Sequence, residues 1–378
     1  MNPPIVHVVG ARPNFMKAAP VIRALDERGA NQRLVHTGQH YDAAMSDTFF
    51  HDLDLPEPDC NLGVGSGSHA VQTAAIMVAL EPVLLDYRPA IVIVYGDVNS
   101  TTAAALVAAK LQMPVAHVEA GLRSFDNAMP EEINRRVTDQ LSDLLLVTAP
   151  EGLVNLQDEG TAADRIHFVG NPMIDSLLAN VGRLDTDGMK TRFGLVESYA
   201  VATIHRPSNV DEPWAARRIA AMLSDLAERV DVVLPLHPRG RHSLEEAGLR
   251  ATARLRVISP LGYLEFISLV RGAALVVTDS GGIQEETTVL GIPCLTVRPN
   301  TERPITVSQG TNRLVEPEGV EAAAAKILAG DWRRPTELPR LWDGHAGERI
   351  ADILLAFVAE ADPARDSPTA GQRSGRGS

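Results

Sequence analysis

The hydrophobic positions of the chain fall into short continuous runs that are rich in β-branched residues. Five of these runs lie in the first half, at residues 5–9, 33–37, 90–95, 114–118 and 144–148. Five more lie in the second half, at residues 199–204, 231–236, 255–259, 274–278 and 293–297. Continuous apolar runs without strict alternation are typical of parallel strands that are buried on both faces. We therefore predict two parallel sheets.

Segments with helical periodicity separate the predicted strands. They include residues 15–28, 70–86, 101–111, 213–229 and 261–271. Strands that alternate with helices in this way build a sheet with helices packed on both of its faces. The predicted fold class is therefore α/β, with two doubly wound, Rossmann-like domains.

The break between the two series of strands falls within residues 170–198, where the polar run DTDGMK indicates a loop. We assign residues 1–175 to an N-terminal Rossmann-like domain and residues 176–345 to a C-terminal one. A last amphipathic helix is predicted at residues 346–360 and is expected to pack back on the N-terminal domain. Residues 361–378 are rich in Pro, Gly, Ser and Arg, a composition typical of disorder.

The composition favours a folded protein and argues against several classes of partner. Hydrophobic residues make up 45% of the chain and charged residues 22%, which suits a packed core. The net charge of −13 and the pI of about 5.3 argue against binding to nucleic acid or to an anionic membrane. The two cysteines, Cys60 and Cys294, are too few for a disulfide framework. With no basic leader and no apolar run of roughly 18 residues, we expect a soluble, cytoplasmic protein.

Ligands of open α/β sheets bind beyond the carboxyl ends of the strands, so we expect a ligand in the cleft between the two domains. After the first strand, Gly10 allows a tight turn into a helix whose first residues include Arg12 and Lys17. The free N–H groups of that helix and the basic side chains can hold an anion. The spacing matches neither the dinucleotide fingerprint nor the P-loop, and an ordinary turn with solvated basic residues is an equal alternative.

A second candidate anion site follows the fourth strand of the second series. Asp279 or Ser280 can cap the next helix, and Gly281 and Gly282 leave its N-terminus open to a phosphate group. Glu286, one turn further on, can accept hydrogen bonds from neighbouring hydroxyls such as those of a ribose. The alternative is an ordinary capped helix with its glutamates on the solvated face.

Acidic residues follow two neighbouring strands of the first half. Asp97 follows one strand and Glu119 the next, whereas Glu131 and Glu132 fall in the first turn of a predicted helix. Acids favour that position because of the helix dipole, which explains Glu131 and Glu132 well and Glu119 less well. Asp97 has a cap or turn as its alternative. We expect Arg123 to hold one of these acids in place.

His205 and Arg206 end the first strand of the second half, and Pro207 stops that strand. Most single histidines are structural, but the neighbouring arginine and the position at a strand end favour a function here. No metal site is expected, because the chain contains neither H-E-x-x-H nor C-x-x-C and no similar pair of ligands with helical spacing.

Together these segments resemble the non-hydrolysing UDP-N-acetylglucosamine 2-epimerase family. The matching strings include GARPNFMKAAPVI, GDVNST, HVEAGLRS, MPEEINR, HRPSNVD, DSGGIQEE and TERPITVSQGTNRLV, in the family's order over about residues 5–315. The family has the two-domain glycosyltransferase-B architecture and binds a UDP-sugar in the cleft between the domains. The resemblance therefore implies that architecture and an active site in the interdomain cleft.

The resemblance also implies roles for individual residues. The family's UDP-binding positions correspond to Arg12, Lys17, Phe266, Ser280, Gly281, Gly282, Glu286 and Arg303. Its catalytic or near-catalytic positions correspond to Asp97, Glu119, Glu131 and His205. Glu286 is expected to hold the ribose, while Arg12 and Arg303 face the diphosphate. The family needs neither a metal nor another cofactor and is commonly dimeric, so we expect a homodimer.

In the family's reaction, UDP is eliminated across C1 and C2 of the sugar to give 2-acetamidoglucal and is then added back. The proton returns on the other face, so the resemblance implies reversible conversion of UDP-GlcNAc into UDP-ManNAc without net hydrolysis. Two faces imply two proton-handling groups, for which we expect Glu119 and Glu131, assisted by Asp97. Alternatives are C2 epimerisation of another UDP-sugar, such as UDP-2,3-diacetamido-glucuronic acid, a glycosyltransferase of the same fold and an inactive nucleotide-sugar sensor.

The chain departs from the family pattern in three places. Regulated bacterial members bind a second UDP-GlcNAc with a Gln-His-Arg-Gln run, whereas this chain has Gln39-His40-Tyr41-Asp42. We therefore expect weak or absent allosteric activation and a hyperbolic dependence of rate on UDP-GlcNAc concentration. Pro207-Ser208-Asn209 replaces a basic and acidic pair, and Leu261 replaces a Gln common near the uracil.

Overall fold

The structure is a computed structural model that describes residues 3–38, 50, 52–332, 335 and 337–360. Two expectations from the sequence fall outside this part of the chain. They are the role of the run at residues 39–42 and the disorder of residues 361–378. The side chain of Arg12, for which UDP binding was expected, also falls outside the description.

The first sheet has seven parallel strands in the order β3-β2-β1-β4-β5-β6-β7. Their bounds are β1 (Ile5–Val9), β2 (Gln32–His36), β3 (Cys60–Asn61), β4 (Ile91–Tyr95), β5 (Val115–Ala120), β6 (Leu144–Val147) and β7 (Ile166–Phe168). The central strands are buried along their whole length, because helices cover both faces of the sheet.

The second sheet repeats this pattern with six parallel strands in the order β10-β9-β8-β11-β12-β13. Their bounds are β8 (Tyr199–Thr203), β9 (Asp231–Pro235), β10 (Leu255–Ile258), β11 (Leu275–Thr278), β12 (Cys294–Val297) and β13 (Asn312–Val315). In each sheet the strand order reverses direction once, between β1 and β4 and between β8 and β11. Such a reversal opens a crevice at the carboxyl ends of the two strands, where ligands of these folds bind.

Helices connect the strands of both sheets. In the first part of the chain they are α1 (Arg12–Glu27), α2 (His69–Tyr87), α3 (Asn99–Lys110), α4 (Pro130–Leu141), α5 (Pro150–Asp158) and α6 (Pro172–Asn180). The next are α7 (Thr186–Phe193), α8 (Pro207–Val210), α9 (Pro213–Arg229), α10 (Pro238–Glu246) and α11 (Tyr263–Arg271). The last are α12 (Gly281–Leu290), α13 (Ile305–Ser308), α14 (Val320–Leu328) and α15 (Ala346–Glu360). Proline begins many of them, because its fixed φ suits the first helical position.

The two parallel sheets with alternating helices confirm the predicted fold class, and all ten predicted strands are present. Three short strands were not predicted: β3, β7 and β13. Each lies at or towards the edge of its sheet and contains only two to four residues. Such segments carry too few apolar positions to give a periodic signal.

The last helix, α15, returns to the first sheet and packs against α1. Ile350 and Leu354 of α15 share a buried cluster with Phe15 of α1. The carboxylate of Asp175 in α6 accepts a hydrogen bond of 2.7 Å from the backbone N–H of Gly347 at the start of α15. The division into domains stays a prediction, and its boundary at residue 175 falls inside α6.

Helix α2 has a pattern that the sequence analysis missed. It contains 19 residues with a hydropathy of 1.3, so by length and composition alone it could cross a membrane, a test that core helices of soluble proteins also pass. Its apolar residues are interrupted by Glu81 and Asp86, which is why no continuous apolar run appears in the sequence. Only 22% of its most apolar window is buried.

Candidate active site

The predicted site residues lie at, or one strand away from, the point where the strand order of each sheet reverses. Asp97 follows β4 and Glu119 lies near the end of β5 in the first sheet. His205 follows β8 and Ser280 follows β11 in the second sheet. Arg303 of the second half reaches Glu119 of the first, with Nη2 2.8 Å from Oε1. The carboxyl ends of the two sheets therefore face one another across a shared cleft.

Glu119 has an unusual backbone conformation for a residue with a side chain. Its φ is +76°, in the left-handed region, and the pairing of β5 with β6 shifts register between Val118 and Ala120. A non-glycine residue held in such a region costs on the order of 1–3 kcal/mol, and bulges of this kind re-aim side chains at functional sites. The bulge directs the Glu119 carboxylate, which is 3% exposed, toward Lys17 and Arg303.

Arg303 lies at the centre of a buried network of carboxylates. Besides Glu119, it pairs with Glu285 through Nε at 3.1 Å and with Glu302 through Nη1. Burial opposes the charge of its guanidinium, but Glu285, Glu119 and Glu302 outweigh burial and raise the pKa of Arg303. Arg303 was expected to face the diphosphate; in the structure it lies in the cleft and links carboxylates of both halves.

The start of α12 differs from the predicted capped helix. Ser280 has the extended backbone of an N-cap residue, but its side chain makes no cap hydrogen bond. The Asp279 carboxylate does not cap the helix either, since it accepts hydrogen bonds from the backbone N–H groups of His205, at 3.1 Å, and Arg206, at 2.9 Å. The expectation of a side-chain cap from Asp279 or Ser280 is therefore wrong.

The two glycines of α12 are needed because side chains pack directly on the helix start. A Cβ at Gly281 would lie 2.3 Å from Nη1 of Arg303 and 2.7 Å from Oε1 of Glu302. A Cβ at Gly282 would lie 2.8 Å from Cε of Met173, a residue of α6. The absence of a side chain at Gly281 thus allows Arg303 to approach the N-terminus of α12.

Glu285 and Glu286 are buried, so the alternative that placed them on a solvated face of α12 is wrong. Both are 2% exposed. Burial raises the pKa of Glu286 to about 8, with the Tyr263 hydroxyl acting in the opposite direction. Burial also raises the pKa of Glu285 to about 7, against the effect of Arg303. Among the described residues, Oε1 of Glu286 has no hydrogen-bond partner.

Phe266, which the resemblance placed near the uracil, lies on α11 and is half-buried. It packs against the apolar cluster that contains Ile267 and also against the cluster that contains Ile283 of α12. The first of these clusters includes strands of the first sheet and the second includes strands of the second sheet, so Phe266 lies where the two cores meet.

Asp97 is held by an arginine that sequence reasoning did not single out. Arg135 of α4 places Nη1 2.5 Å from Oδ2 of Asp97 and Nη2 2.7 Å from Oε2 of Glu132. Burial disfavours the charged form of Asp97, but Arg135, and after it Lys17 and Arg303, hold its pKa below the ordinary value. An ionised Asp97 can accept a proton.

Glu132 has the structural role expected of it. It accepts hydrogen bonds from the backbone N–H groups of Ser124, at 2.9 Å, and Phe125, at 3.1 Å, and so closes the loop before α4. The expectation for Arg123 is wrong, because this side chain does not hold Glu119, Glu131 or Glu132. It pairs instead with Asp139 and Glu159, two acids that the sequence analysis did not consider.

Glu131 and His205 lie on opposite lips of the cleft. Glu131 is half-buried in the first turn of α4 and lies near Arg206 of the second half. Burial and Arg298 lower the pKa of Arg206, and Glu131 acts in the opposite direction. The His205 side chain is 63% exposed, and its Nδ1 lies 2.9 Å from Oδ1 of Asp279. Although its ring is accessible, the surrounding protein reduces its solvation and so lowers the pKa of His205, but Asp279 outweighs this effect and raises the pKa above the ordinary value.

A second group of charges, not predicted, follows β12. Arg298 and Glu302 are 2.8 Å apart and almost fully buried, and Arg206 lies 3.7 Å from the same glutamate. Burial opposes ionisation of Glu302, but Arg303, Arg298 and Arg206 together hold its pKa far below the ordinary value. The sequence signal was the charged segment directly after a strand, the same signal that identified Asp97 and His205.

The comparisons with known proteins agree with this arrangement. Residues 23–355 match the family model described as UDP-N-acetylglucosamine 2-epimerase. The chain belongs to this family. Its resemblance to the family, first seen in separate motifs, thus extends over most of the chain.

Two relatives of the family are similar over nearly their whole length. A UDP-N-acetylglucosamine 2-epimerase from Methanocaldococcus jannaschii is 40% identical, over 92% of this chain and 97% of the relative. A UDP-2,3-diacetamido-2,3-dideoxy-D-glucuronate 2-epimerase from Pseudomonas aeruginosa is 44% identical, over 93% of this chain and 99% of the relative. The chain is thus similar, to about the same extent, to two relatives that are named for different UDP-sugar substrates.

The fold matches solved structures of the family. The crystal structure of the M. jannaschii UDP-GlcNAc 2-epimerase in complex with UDP-GlcNAc and UDP has a TM-score of 0.86 and 39% identity. The match covers 93% of this chain and 99% of that one. The glycosyltransferase-B architecture that the resemblance implied is therefore confirmed.

Proposed function

We propose that the protein is a UDP-sugar C2 epimerase that interconverts UDP-GlcNAc and UDP-ManNAc without net hydrolysis. The observation that carries this proposal is the position of Glu119. A strained bulge directs this carboxylate into the cleft between the two sheets, where it meets Lys17 and Arg303. Membership in the epimerase family supports the same reaction.

The proposed chemistry is elimination of UDP across C1 and C2, followed by addition to the opposite face. A carboxylate removes the weakly acidic proton at C2, the C1–O bond breaks and UDP leaves with the electron pair, giving 2-acetamidoglucal. Re-addition of UDP at C1 with protonation of C2 from the other face completes the inversion. Glu119 and Glu131, with Asp97 assisting, are the proton-transfer groups.

The geometry supports two separate proton-handling positions. Glu119 lies deep in the cleft at the end of β5, whereas Glu131 lies at its lip on α4. Asp97 follows β4 and is bound to α4 through Arg135, which holds its pKa low against the effect of burial. His205 belongs to the opposite lip, where its Asp279 partner favours the charged imidazolium next to a leaving diphosphate.

The UDP moiety is proposed to bind the second sheet. The N-terminus of α12, at Ser280, Gly281 and Gly282, offers N–H groups and a positive dipole end to the diphosphate. Lys17 and Arg303 add positive charge there, and the family resemblance implies the same role for Arg12. Oε1 of Glu286 lacks a partner among the described residues, which suits a ribose hydroxyl as donor. Phe266 is the proposed contact to the uracil.

A second candidate substrate is favoured by one observation. The P. aeruginosa relative, which is named for a UDP-2,3-diacetamido uronic acid, is 44% identical to this chain, against 40% for the UDP-GlcNAc enzyme of M. jannaschii. Arg298, which follows β12, pairs with Glu302 through Nη2, and its buried Nη1 has no hydrogen-bond partner among the described residues. That nitrogen is the proposed donor to a sugar carboxylate in this case.

The two substrates can be distinguished directly. Purified protein is incubated with UDP-GlcNAc and, separately, with UDP-2,3-diacetamido-glucuronic acid, and the anomeric proton signals are followed by NMR. Equilibration of the gluco and manno signals of UDP-GlcNAc supports the main proposal. Conversion of the uronic acid alone would replace it with the second candidate, and release of free ManNAc would indicate a hydrolysing enzyme.

We also propose that the protein forms a homodimer through helix α2. Its most exposed apolar residues, Val71, Val78 and Leu85, are 65%, 75% and 52% exposed. Their spacing of seven residues places them on one face of the helix. Burial of this face against the same helix of a second copy would remove an apolar stripe from water.

A further inference from the structure

His117 lies in the middle of β5 and is fully buried, yet both of its ring nitrogens make short polar contacts. Nδ1 lies 2.7 Å from Oδ1 of Asp139, and Nε2 lies 2.8 Å from the backbone oxygen of Gly96. A backbone carbonyl can only accept a hydrogen bond. Nε2 must therefore carry a proton.

The Asp139 side chain also acts as an acceptor. Its second oxygen, Oδ2, accepts a hydrogen bond of 3.1 Å from the backbone N–H of Gly121 and lies 2.7 Å from Nη2 of Arg123. The permanently charged guanidinium of Arg123 and the N–H of Gly121 both favour the ionised carboxylate, whatever the charge of His117. An ionised carboxylate has no proton to donate, so Nδ1 of His117 must carry one as well.

We infer that His117 is a buried imidazolium, with a proton on each ring nitrogen, and that it positions the backbone that carries Asp97 and Glu119. A neutral imidazole has only one N–H group, so its unprotonated nitrogen would face an acceptor oxygen, either that of Asp139 or that of Gly96. The positioning role rests on the catalytic roles proposed above for Asp97 and Glu119. The charge state of His117 does not depend on them.

The contacts explain how His117 acts on both catalytic positions. Gly96, whose carbonyl it binds, has a φ of +64° and directly precedes Asp97. Asp139, which it also binds, holds the N–H of Gly121, two residues beyond the strained Glu119. A strained conformation persists only where the surrounding structure fixes it. His117 and Asp139 together fix the two turns that aim the Asp97 and Glu119 carboxylates.

A second buried histidine in the same sheet provides a matched control. His7 lies in β1, next to β4, and is 0% exposed, as His117 is. Its Nδ1 lies 2.7 Å from the hydroxyl of Tyr95, which can donate, and its Nε2 lies 2.9 Å from Oε1 of Gln32. One ring proton therefore satisfies both contacts, and burial lowers the pKa of His7 to about 4. His7 is a neutral histidine in a comparable environment.

The charge of His117 can be read by NMR in protein labelled with ¹⁵N-histidine. The chain has 11 histidines, and the signals of two are assigned by their loss in His117→Gln and His7→Gln. At neutral pH we expect both ring nitrogens of His117 to give the shifts of protonated nitrogen, and only one nitrogen of His7 to do so. An unprotonated nitrogen at His117 would overturn the inference.

The positioning role is tested by comparing the same two variants in activity. Glutamine cannot reach Gly96 and Asp139 at once, so in His117→Gln we expect kcat to fall by about 100-fold while the affinity for UDP is kept. His7→Gln, also a buried substitution, is expected to retain the wild-type kcat. Equal kcat values in the two variants would contradict the positioning role.

Two further outcomes separate this inference from the proposed function. If wild-type protein inverts no UDP-sugar, the proposed function fails, while the ¹⁵N spectrum still decides the charge of His117. If His117→Gln does not fold, Asp139→Asn replaces it, both for assignment and for kcat. Without its counter-ion, His117 is expected to lose one proton in that variant; an unchanged spectrum and an unchanged kcat would overturn the inference.

Discussion

The carboxylates of the cleft fall into two groups that differ in the charges around them. At the half-buried Asp97 and the buried Glu302, burial raises the pKa values, but neighbouring arginines outweigh this effect and lower them. Burial dominates at Glu285 and Glu286 and raises theirs to about 7 and about 8. The first group is ionised at neutral pH, and the second titrates near it. Acids with different charge states within one cleft are typical of sites that transfer protons.

Glu131 is the group for which loss of catalysis can best be separated from loss of binding. It lies on α4, whereas the proposed UDP contacts lie at α1, α11, α12 and Arg303. In Glu131→Gln we therefore expect exchange of the C2 proton to be abolished and the affinity for UDP, measured by calorimetry, to be kept. Glu132→Gln, which disturbs a structural loop instead, serves as the comparison. Full retained exchange in Glu131→Gln would remove this residue from the mechanism.

Burial of Glu286 predicts a dependence of stability on pH. Its folded pKa of about 8 exceeds the ordinary value of 4.5, so between these pH values the unfolded chain releases a proton that the folded protein keeps. Stability contributed by the neutral form is therefore full below pH 4.5 and is lost as the pH rises toward 8.

Glu286→Gln should remove this loss, because glutamine resembles the neutral acid. Between pH 5 and pH 8, we expect the free energy of unfolding of the wild type to fall by about 2 kcal/mol or more beyond the fall seen in this variant. Urea unfolding at the two pH values measures it, with the exposed Glu197→Gln as control. An identical pH dependence in Glu286→Gln and the wild type would show that Glu286 is ionised in the folded protein.

At the scale of elements, the candidate site lies at the carboxyl ends of the strands. The start of α12 shows how closely side chains pack there. Gly281 sits against Arg303 and Glu302, so a methyl group there has no space. Gly319, at the N-cap of α14, has nothing within 4 Å of the same position. The two glycines begin helices of the same half of the chain and differ in what surrounds them.

Gly281→Ala is therefore expected to displace Arg303 from its carboxylates. The overpacking should lower the free energy of unfolding by about 1–3 kcal/mol and weaken UDP binding, because Arg303 is a proposed UDP contact. Gly319→Ala is expected to leave both quantities close to those of the wild type. Thermal unfolding gives the stability of the two variants, and UDP titration gives their affinity. Equal values for Gly281→Ala and Gly319→Ala would refute the packing argument.

The sequence predicted the interior strands and the strand-end position of the site, because both depend on local pattern. Asp97, Glu119 and His205 each follow an apolar run, and the structure places all three along the cleft. The partners of these residues could not be predicted. Arg135 lies 38 residues from Asp97, and Arg303 lies 184 from Glu119, so only the fold brings these charges together.

Two errors have the same origin. Asp279 is next to the start of α12, so a local cap was expected. Its carboxylate instead binds backbone N–H groups in the loop that follows β8, the strand next to β11. Arg123 is near Glu119 in sequence, but the chain turns between them, and Asp139 of α4 is closer in space. A pair that is close both in sequence and in space is found within one helix, between Glu132 and Arg135 of α4.

At the scale of the whole molecule, the two sheets meet through a few specific contacts. Arg303 pairs with Glu119, Met173 of α6 packs on Gly282, and Arg206 lies 3.8 Å from the sulfur of Met129. Ile305, from the second half, is 1% exposed and belongs to the same apolar cluster as the first sheet. A substrate held at the cleft therefore touches residues from both halves at once.

The proposed homodimer is also a property of the whole molecule. Val78→Asp places a charge at the centre of the exposed stripe of α2, where the valine is 75% exposed, so the fold of one copy should be unaffected. We expect light scattering after size-exclusion chromatography to show a dimer for the wild type and a monomer for this variant. Val196→Asp, at a position 93% exposed elsewhere on the surface, should remain dimeric. A monomeric wild type would contradict the proposal.

The most direct test of the account follows the C2 proton itself. Wild-type protein is incubated with UDP-GlcNAc in D₂O, and the H2 signals of substrate and product are followed by proton NMR. Proton removal by one carboxylate and return from the other predicts deuterium at C2 of UDP-ManNAc, with UDP still attached. Inversion without deuterium at C2, or no exchange at all under conditions in which UDP binds, would contradict it.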